Sequence, residues 1–363
     1  MRQTISLGES DDPPDSLYQE KKILIAEPEK KRGSFLVAAS VTRAIAKGED
    51  EAIASSPTAR AEIISDISRC FELWQEFSPK GSLFDTWEFR LAFYHGYGYE
   101  PYFLLLKNEK ENLAILPLWY ENNNWYDKNK KRYTWFGSDW QEEVRFFTKD
   151  PKYIPILLSA APSPLYLNAI AADSIEPIKK AVGIKEDQQK YILHLGKFKN
   201  HEDFLMTLKK NKRRDLRKDR NRILRQNPEI IINNFTDLKE LINVSKKRFQ
   251  EKGEDTDWED PRRIKTFEEV IRLGGRSYET RMITVKINGK VAGVDLVCLY
   301  NKTYYAVKCG YDVKNFSGIG NFMNVFEIDD AISLGMEKID FLQNNYEWKD
   351  RWFEAVPLFE YEK

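Results

Sequence analysis

The sequence predicts an α+β fold in two domains, with mixed, mostly antiparallel sheets flanked by helices. The chain has 363 residues, more than one hydrophobic core usually holds. From residue 61 onward, runs with strand periodicity alternate with runs of helical periodicity. Three strand-like runs follow one another between residues 280 and 308 with only short turns between them, which predicts an antiparallel meander.

Composition excludes several classes of protein. Hydrophobic residues make up 42% of the chain and aromatic residues 13%, so wholesale disorder is excluded. There is no apolar run of about 18 residues to span a bilayer, and the polar N-terminus lacks the apolar centre of a secretory signal. We therefore expect a cytoplasmic protein, either free or peripheral to the inner face of the membrane. Three cysteines and three histidines show no metal-ligand spacing, so we expect no metal.

The chain divides into three segments by pattern. Residues 1–60 hold charged and proline-rich runs with weak helical phasing, and we expect most of this tail to be disordered. Residues 61–196 form the predicted first domain and residues 197–363 the second. The sequence leaves the oligomeric state open.

The first domain is predicted as helices followed by a hairpin and further alternating elements. Asp85 and Glu88 suggest a capping box at the start of the second helix. The predicted helices are 61–77, 86–96, 151–161 and 174–182, and the predicted strands are 102–107, 112–119, 133–136, 143–147, 165–169 and 191–195.

The second domain begins with a basic helix and contains the meander. Asn288-Gly289 predicts a two-residue hairpin, because both central positions of a type I′ turn need positive φ. The predicted helices are 201–226, 237–251, one ending at Leu273 and one ending at Leu334. The predicted strands are 229–235, 280–287, 291–300, 303–308 and 338–342.

A glycine-containing loop lies between the last meander strand and the following helix. Its residues are Ser317, Gly318, Ile319, Gly320 and Asn321. One interpretation is a loop that only turns the chain and caps the helix. The other is an anion site, because a helix N-terminus presents unpaired N–H groups and glycine lets a phosphate approach the backbone. The loop completes neither a P-loop nor a dinucleotide-binding fingerprint.

A cationic cluster precedes that loop in the sequence. Ten of the seventeen residues from Lys209 to Arg225 are Lys or Arg, against two Asp, although the whole chain has zero net charge. Three interpretations stay open: a solvated helix face, a contact with a polyanionic donor or acceptor, or attachment to an anionic membrane surface.

Together, these elements resemble the acyl-CoA-binding core of the GNAT acetyltransferase superfamily. The resemblance is sharpest to FemAB-like acyltransferases, in particular the BioF2-like or CelD-like acetyltransferase domain, and it implies two tandem GNAT-like domains. Four stretches carry it, within about residues 62–355: SLFDTWEFRLAF, ENLAILPLWY, FLMTLKKNKRRDLRKDRNRI and GMEKIDFLQNNYEWKDRWFE. The closing turn departs from the family pattern, because Asn344, Asn345, Tyr346, Glu347 and Trp348 stand where a Gly, an acidic pair, a Pro and a Tyr are usual.

The resemblance implies an acyl-CoA co-substrate and no metal. Its diphosphate would lie on residues 317–321, with Tyr311 and Asn315 lining the same cleft. Because the family's acidic pair is absent, Glu347 or Asp340 would serve as base, and Tyr346 could donate to the departing sulfur. Lys349, Arg351 and Trp87 are predicted to contact the substrate. All of these residues also have ordinary structural interpretations, as exposed charges, ion pairs or core aromatics.

We therefore expect an N-acyltransferase that moves an acyl group from acyl-CoA to an amine. The resemblance favours a sugar-amine or an envelope or exopolysaccharide precursor as acceptor. The enzymatic alternative is a Fem-type transferase that takes its aminoacyl group from tRNA and adds it to a peptidoglycan precursor. The non-enzymatic alternative is a silent GNAT-like module that binds a polyanion or a protein through residues 209–225.

Overall fold

The computed structural model describes residues 59–363, except 124–129, 139, 180–182 and 345–347. The predicted tail therefore lies outside the described residues up to residue 58, and Arg60 already begins a strand. No helix in the described part is long and apolar enough to cross a membrane.

Strands occur along the whole described part of the chain. These are β1 Arg60–Ile64, β2 Pro101–Lys107, β3 Asn112–Glu121, β4 Arg132–Trp135, β5 Phe147–Thr148, β6 Tyr166–Ala171, β7 Ile184–Glu186, β8 Lys190–His194, β9 Glu229–Ile232, β10 Glu279–Ile287, β11 Lys290–Tyr300, β12 Thr303–Tyr311, β13 Lys338–Asp340, β14 Glu354–Val356 and β15 Leu358–Glu362.

Helices separate and cover these strands. They are α1 Ile67–Phe77, α2 Trp87–Tyr97, α3 Ile154–Ala160, α4 His201–Thr207, α5 Lys210–Leu224, α6 Leu238–Lys252, α7 Pro261–Leu273 and α8 Ile319–Ser333. The predicted α+β class, with mixed and mostly antiparallel sheets, is confirmed.

The strands pair into three sheets. The first has the order β1-β2-β3-β4 with β5 also on β3, and the third has the order β6-β15-β7. The second sheet has the order β14-β8-β13-β12-β11-β10-β9, and its pairs are antiparallel except β12 with β13. The predicted meander is β10-β11-β12. Its Asn288-Gly289 turn has φ of 52° and 75°, as a type I′ hairpin requires.

The two predicted halves exchange strands and share a core. β8 comes from the first half but pairs within the second sheet, and β15 ends the chain yet lies between two strands of the first half. The Tyr305 hydroxyl accepts from the Leu83 amide at 3.2 Å, and the Tyr305 ring packs edge-on against Phe84 at 5.8 Å. The division at residues 196 and 197 stays a prediction.

Some local predictions were wrong for identifiable reasons. Residues 61–64 form β1 rather than the first turn of a helix, because β2 offers an edge to pair with and Asp66 caps α1 by accepting from Arg69 N at 2.9 Å. The predicted helix 201–226 breaks after Thr207. The Thr207 hydroxyl donates to Phe204 O at 2.7 Å, and Leu208 N bonds Leu205 O instead of continuing the i−4 ladder.

Other predicted elements are shorter than expected, and the closing strands were not predicted. In place of helix 174–182, the described residues contain only 3₁₀ turns at Ala172–Ser174 and Glu176–Ile178. The strand predicted over 143–147 reduces to β5. β14 and β15 carry no clear period-2 pattern, and their partners lie far away in the sequence.

Candidate active site

The parallel pair of the second sheet opens into a wedge. β12 and β13 pair only as far as Tyr305 opposite Asp340, although β12 runs on to Tyr311. Beyond Asp340 the chain stays beside β8, where Phe341 N donates to Tyr191 O at 2.9 Å, and its pairing with β12 ends. Six residues of β12 therefore have no partner on the β13 side, and the edge of their backbone lines the wedge.

Lys349 and Glu142 bind the backbone of residues 341–343, on the β13 side of the wedge. The Lys349 ammonium donates to the carbonyls of Phe341, Leu342 (3.4 Å) and Gln343 (2.7 Å). Glu142 Oε2 accepts from Gln343 N at 2.6 Å. Burial lowers the pKa of Lys349 and raises the pKa of Glu142 to about 7. Lys349, predicted to contact substrate, thus anchors backbone in this structure.

A second carboxyl lies on the α8 side of the sheet. Asp295 of β11 is paired in register with Cys309 of β12, so both side chains point to the same face. Asp295 is 1% exposed, has the Tyr311 hydroxyl beside it as a hydrogen-bond donor, and pairs with no cation among the described residues. Burial raises its pKa to about 7, while the neighbouring Tyr311 hydroxyl acts in the opposite direction. Cys309 has solvent access although β12 is an interior strand, while burial raises the pKa of its thiol to about 12.

Helix α8 adds two further carboxyls above Asp295. Glu327 is buried, and burial, together with the charges of Asp295 and Asp330, raises its pKa well above the usual range. Asp330 is neutralised, since Arg281 donates to both of its oxygens at 2.7 Å and the Tyr304 hydroxyl donates at 3.2 Å. Asp295 and Glu327 are the pair without a cation in the described part of the chain.

The glycine loop begins α8, as predicted. Gly318 has φ of 91° at the N-cap, Ile319 is buried and Ser317 is exposed. Arg222 from the basic helix α5 donates from Nη1 to Ser317 Oγ at 2.7 Å. The loop thus meets the cationic cluster directly, with an exposed hydroxyl and an arginine at the helix N-terminus.

An aspartate also lies at this loop. Asp219 of α5 accepts from Asn321 Nδ2 at 2.6 Å, and a Cβ on Gly318 would lie 2.8 Å from the Asp219 Cβ. A side-chain carboxylate therefore lies beside the place where a phosphate is predicted to bind. The cofactor-binding role of residues 317–321 stays a prediction.

The other predicted cofactor residues lie on either side of this loop. Tyr311 is buried, and its ring lies near Gly293 and Gly320, where an added Cβ would meet it at 3.0 and 3.3 Å. Asn315 is exposed and forms a turn, donating from its backbone N to Asp312 Oδ1 at 3.1 Å.

Two predicted catalytic residues, Tyr346 and Glu347, lie outside the described residues. The third, Asp340, is 1% exposed and forms a buried ion pair with Lys190 at 2.9 Å. Lys190 also contacts Glu143, so Asp340 belongs to a neutralised cluster in the sheet.

The predicted substrate residues are dispersed. Trp87 is 7% exposed and stacks on Phe136 with 5.5 Å between ring centroids, as a core aromatic does. Arg351 is exposed. Three buried carboxyls that could take part in proton transfer were not predicted from the sequence: Glu142, Asp295 and Glu327. A signal for one existed: Asp295 is the single charge within the apolar run Val291–Tyr300.

Comparisons with known proteins agree with this geometry. Residues 210–350 match the family model described as an acetyltransferase (GNAT) domain. That range begins with α5 and contains β9 to β13, the glycine loop and α8. The searched curated proteins contain no match to this chain. Within the described residues there is no group of three or more histidine, cysteine or acidic side chains placed to hold a metal ion.

Solved structures share the fold over most of the chain at low identity. FemX superposes with a TM-score of 0.54 and 11% identity, covering 84% of this chain and 97% of FemX. L-PGS from Bacillus licheniformis gives 0.51 and 12%, covering 82% and 92%. A conserved protein of unknown function from Bacteroides thetaiotaomicron gives 0.50 and 12%, covering 83% and 99%. The similarity extends beyond residues 210–350, into the first half of the chain.

Proposed function

We propose that this chain, whose residues 210–350 form a domain of the GNAT acetyltransferase family, transfers an acyl group from acyl-CoA to an amine. The observation that carries the proposal is the wedge between β12 and β13, which leads directly into the glycine loop and α8. An extended thioester arm fits beside an unpaired strand edge, because that edge offers alternating N–H and C=O groups.

The anionic end of the donor would lie at the start of α8. The exposed Ser317, Arg222 and the amides after Ile319 would supply hydrogen-bond donors there. The Ile319 amide itself donates to Phe316 O at 3.1 Å, and Arg222 also pairs with Asp219 at 3.3 Å. Asp219 competes for the same place, so donor binding would require the Asp219 carboxylate to move away from Gly318. The remaining cations of α5 lie on the same helix as Arg222.

Acyl transfer from a thioester needs a deprotonated amine beside the carbonyl carbon. The amine nitrogen attacks that carbon, the C–N bond forms, the C–S bond breaks and the thiolate leaves and is protonated. Glu142 and Asp295, each with a pKa of about 7, suit the proton transfer near neutral pH. Glu347 and Tyr346 stay predicted participants, whereas Asp340 is better explained by its ion pair with Lys190.

The acceptor and donor have specific alternatives. A sugar-amine or a precursor of envelope or exopolysaccharide is the acceptor that the FemAB-like resemblance implies. The same resemblance implies aminoacyl-tRNA as the alternative donor. One observation favours that alternative, namely that the basic helix α5 lies against the glycine loop and would extend an anion site along a polyanion.

Transfer can be measured as release of free thiol from acetyl-CoA with a panel of amino sugars, with acetylated products identified by mass spectrometry. We expect product with the wild type, and a loss of at least tenfold with Cys309→Trp, which fills the wedge beside β12. Cys309→Ser and Val313→Trp are the matched controls; Val313 is exposed on the loop after β12 and should tolerate tryptophan.

Three other outcomes would contradict the proposal. Equal thiol release by the wild type and Cys309→Trp would place the chemistry outside the wedge. Aminoacyl transfer from charged tRNA without use of acetyl-CoA would favour the Fem-type alternative. Binding of a polyanion through residues 209–225, with no transfer from either donor, would favour the silent module.

A further inference from the structure

The α8 side of the second sheet contains an unneutralised acidic pocket. Asp295 lies in a cross-strand row between Ile283 of β10 and Cys309 of β12. Its carboxyl group is 1% exposed, the Tyr311 hydroxyl lies beside it as a hydrogen-bond donor, and no cation among the described residues pairs with it. A buried carboxyl without a cation is costly, so its presence in the centre of a sheet requires an explanation.

The groups that face this pocket include three carboxyls, and one of these is paired with an arginine. From α8 come Glu327 and Asp330, and from β10 comes Arg281, which is fully used by Asp330. From β12 come Cys309 and the hydroxyls of Tyr304 and Tyr311, and from α6 the charge of Arg248 acts on Cys309. Arg281 pairs with Asp330. Asp295 and Glu327 therefore lie close to each other without a counter-ion.

The pocket adjoins the wedge. Cys309, the register partner of Asp295, is exposed and lies on the part of β12 that has lost its β13 neighbour. Glu327 is eight residues beyond Ile319, so it lies about 12 Å along α8 from the predicted diphosphate site. That spacing places the carboxyl pair well inside the cleft from the phosphate end, where an acyl carbonyl would meet its acceptor.

We propose that Asp295 and Glu327 form the acceptor subsite, which binds a primary amine as its ammonium ion and takes one proton from it. An ammonium group supplies the positive charge that the two carboxyls lack and offers N–H donors to their oxygens. The bound R–NH₃⁺ passes one proton to a carboxylate oxygen, giving R–NH₂ and a neutral carboxylic acid. The free amine then attacks the thioester carbon, and the departing thiolate takes up a proton as the free thiol. The transfer step rests on the proposed function, whereas ammonium binding does not.

Ammonium binding can be tested without any acyl donor. The probe is ethylammonium chloride at pH 8, followed by the shift in melting temperature and by calorimetry at matched ionic strength. Tetramethylammonium has the same charge without N–H groups, and ethanol has a similar size without charge. We expect ethylammonium alone to raise the melting temperature of the wild type.

Variants assign that effect to the pocket. Asp295→Asn and Glu327→Gln should each weaken ethylammonium binding at least tenfold, because each removes one of the two carboxyls that together carry the negative charge. Glu279→Gln removes an exposed carboxylate at the start of β10 and should bind like the wild type. No ethylammonium effect in the wild type, or an equal effect in Asp295→Asn, would overturn the inference.

Experiments with an acyl donor distinguish this inference from the proposed function. If acetyl-CoA binds and thiol is released but Asp295→Asn keeps the wild-type rate and pH profile, the transferase proposal stands and the acceptor subsite is refuted. If ethylammonium binds at Asp295 but no acyl donor is used, the subsite stands and the transferase proposal fails. With both correct, Asp295→Asn should lower the rate at least a hundredfold and remove the acidic limb of the pH–rate profile.

Discussion

Two buried aspartates in the same sheet have opposite surroundings. Asp340 on β13 and Asp295 on β11 are each 1% exposed. Asp340 is held by the Lys190 ammonium at 2.9 Å and also accepts from Leu342 N at 2.9 Å. Asp295 has the Tyr311 hydroxyl beside it but no cation within the described residues.

The difference shows that burial alone does not identify a carboxyl group that binds a ligand or exchanges a proton. A paired buried carboxylate is already stabilised in its charged form, so it has no need of a ligand. An unpaired one can be satisfied by a proton or by a cationic substrate, and it can exchange one for the other. The sequence predicted Asp340, near the end of a strand, as a possible base. The side-chain contacts favour Asp295 instead.

Removing the cation from Asp340 should give the largest effect on stability. Lys190→Met leaves Asp340 buried without its counter-ion, and we expect a loss of about 3–5 kcal/mol in the free energy of unfolding. Urea denaturation at pH 7 measures it. A loss below about 1 kcal/mol would show that Asp340 does not depend on Lys190 and would remove the contrast between the two sites.

Replacing the unpaired aspartate should act in the opposite direction. Its pKa is raised to about 7 in the folded state, above the unfolded value, so the unfolded chain releases this proton first as pH rises. Asp295 therefore costs stability progressively between about pH 4 and pH 7, by a few kcal/mol. Asp295→Asn should unfold at higher urea than the wild type at pH 8, and the advantage should shrink at pH 4. A variant less stable than the wild type at pH 8 would contradict the assignment.

Substitutions of the glycines at the two ends of α8 should differ by a smaller amount in the free energy of unfolding. Gly318 and Gly335 both have positive φ, but only Gly318 has a neighbour in the way, since an added Cβ would lie 2.8 Å from Asp219 Cβ. Gly335→Ala should cost about 1 kcal/mol, from backbone strain alone. Gly318→Ala should cost about 2–3 kcal/mol, because Asp219 must also shift. Equal losses in thermal unfolding would show that Asp219 does not pack against the loop.

An exposed ion pair should give the smallest effect. Lys302 and Glu337 are 2.8 Å apart, with side chains 66% and 68% exposed. Lys302→Met removes this pair at the end of the sheet that contains Lys190, and we expect a change of about 0–1 kcal/mol. A loss as large as that of Lys190→Met would mean that burial does not decide the strength of these pairs.

Much of the fold follows from local pattern in the sequence. The meander, its Asn288-Gly289 turn and the amphipathic helices are encoded by period and turn chemistry, and the structure contains them. β1, β14 and β15 were missed because their identity depends on partner strands far away in the sequence. The prediction of one helix over 201–226 was wrong because the backbone leaves helical geometry at Leu208 and Lys209, next to the Thr207 hydroxyl that donates to Phe204 O.

The site was less predictable than the fold. The glycine loop was found because its residues are adjacent in the sequence, but the contacts of Asp219 and Arg222 with it come from a separate helix. Asp295 and Glu327 are 32 positions apart and meet only through the packing of α8 on the sheet. A charge inside an apolar strand was the available signal, and the distinction between paired and unpaired carboxyls needed the side-chain contacts.

Calorimetry with desulfo-CoA, which cannot react, tests most directly whether the wedge between β12 and β13 holds an acyl donor. We predict micromolar to millimolar binding to the wild type and to Val313→Trp, and at least tenfold weaker binding to Cys309→Trp. Absence of binding heat and of any melting-temperature shift in the wild type, or binding to Cys309→Trp as strong as to the wild type, would contradict the placement of the donor.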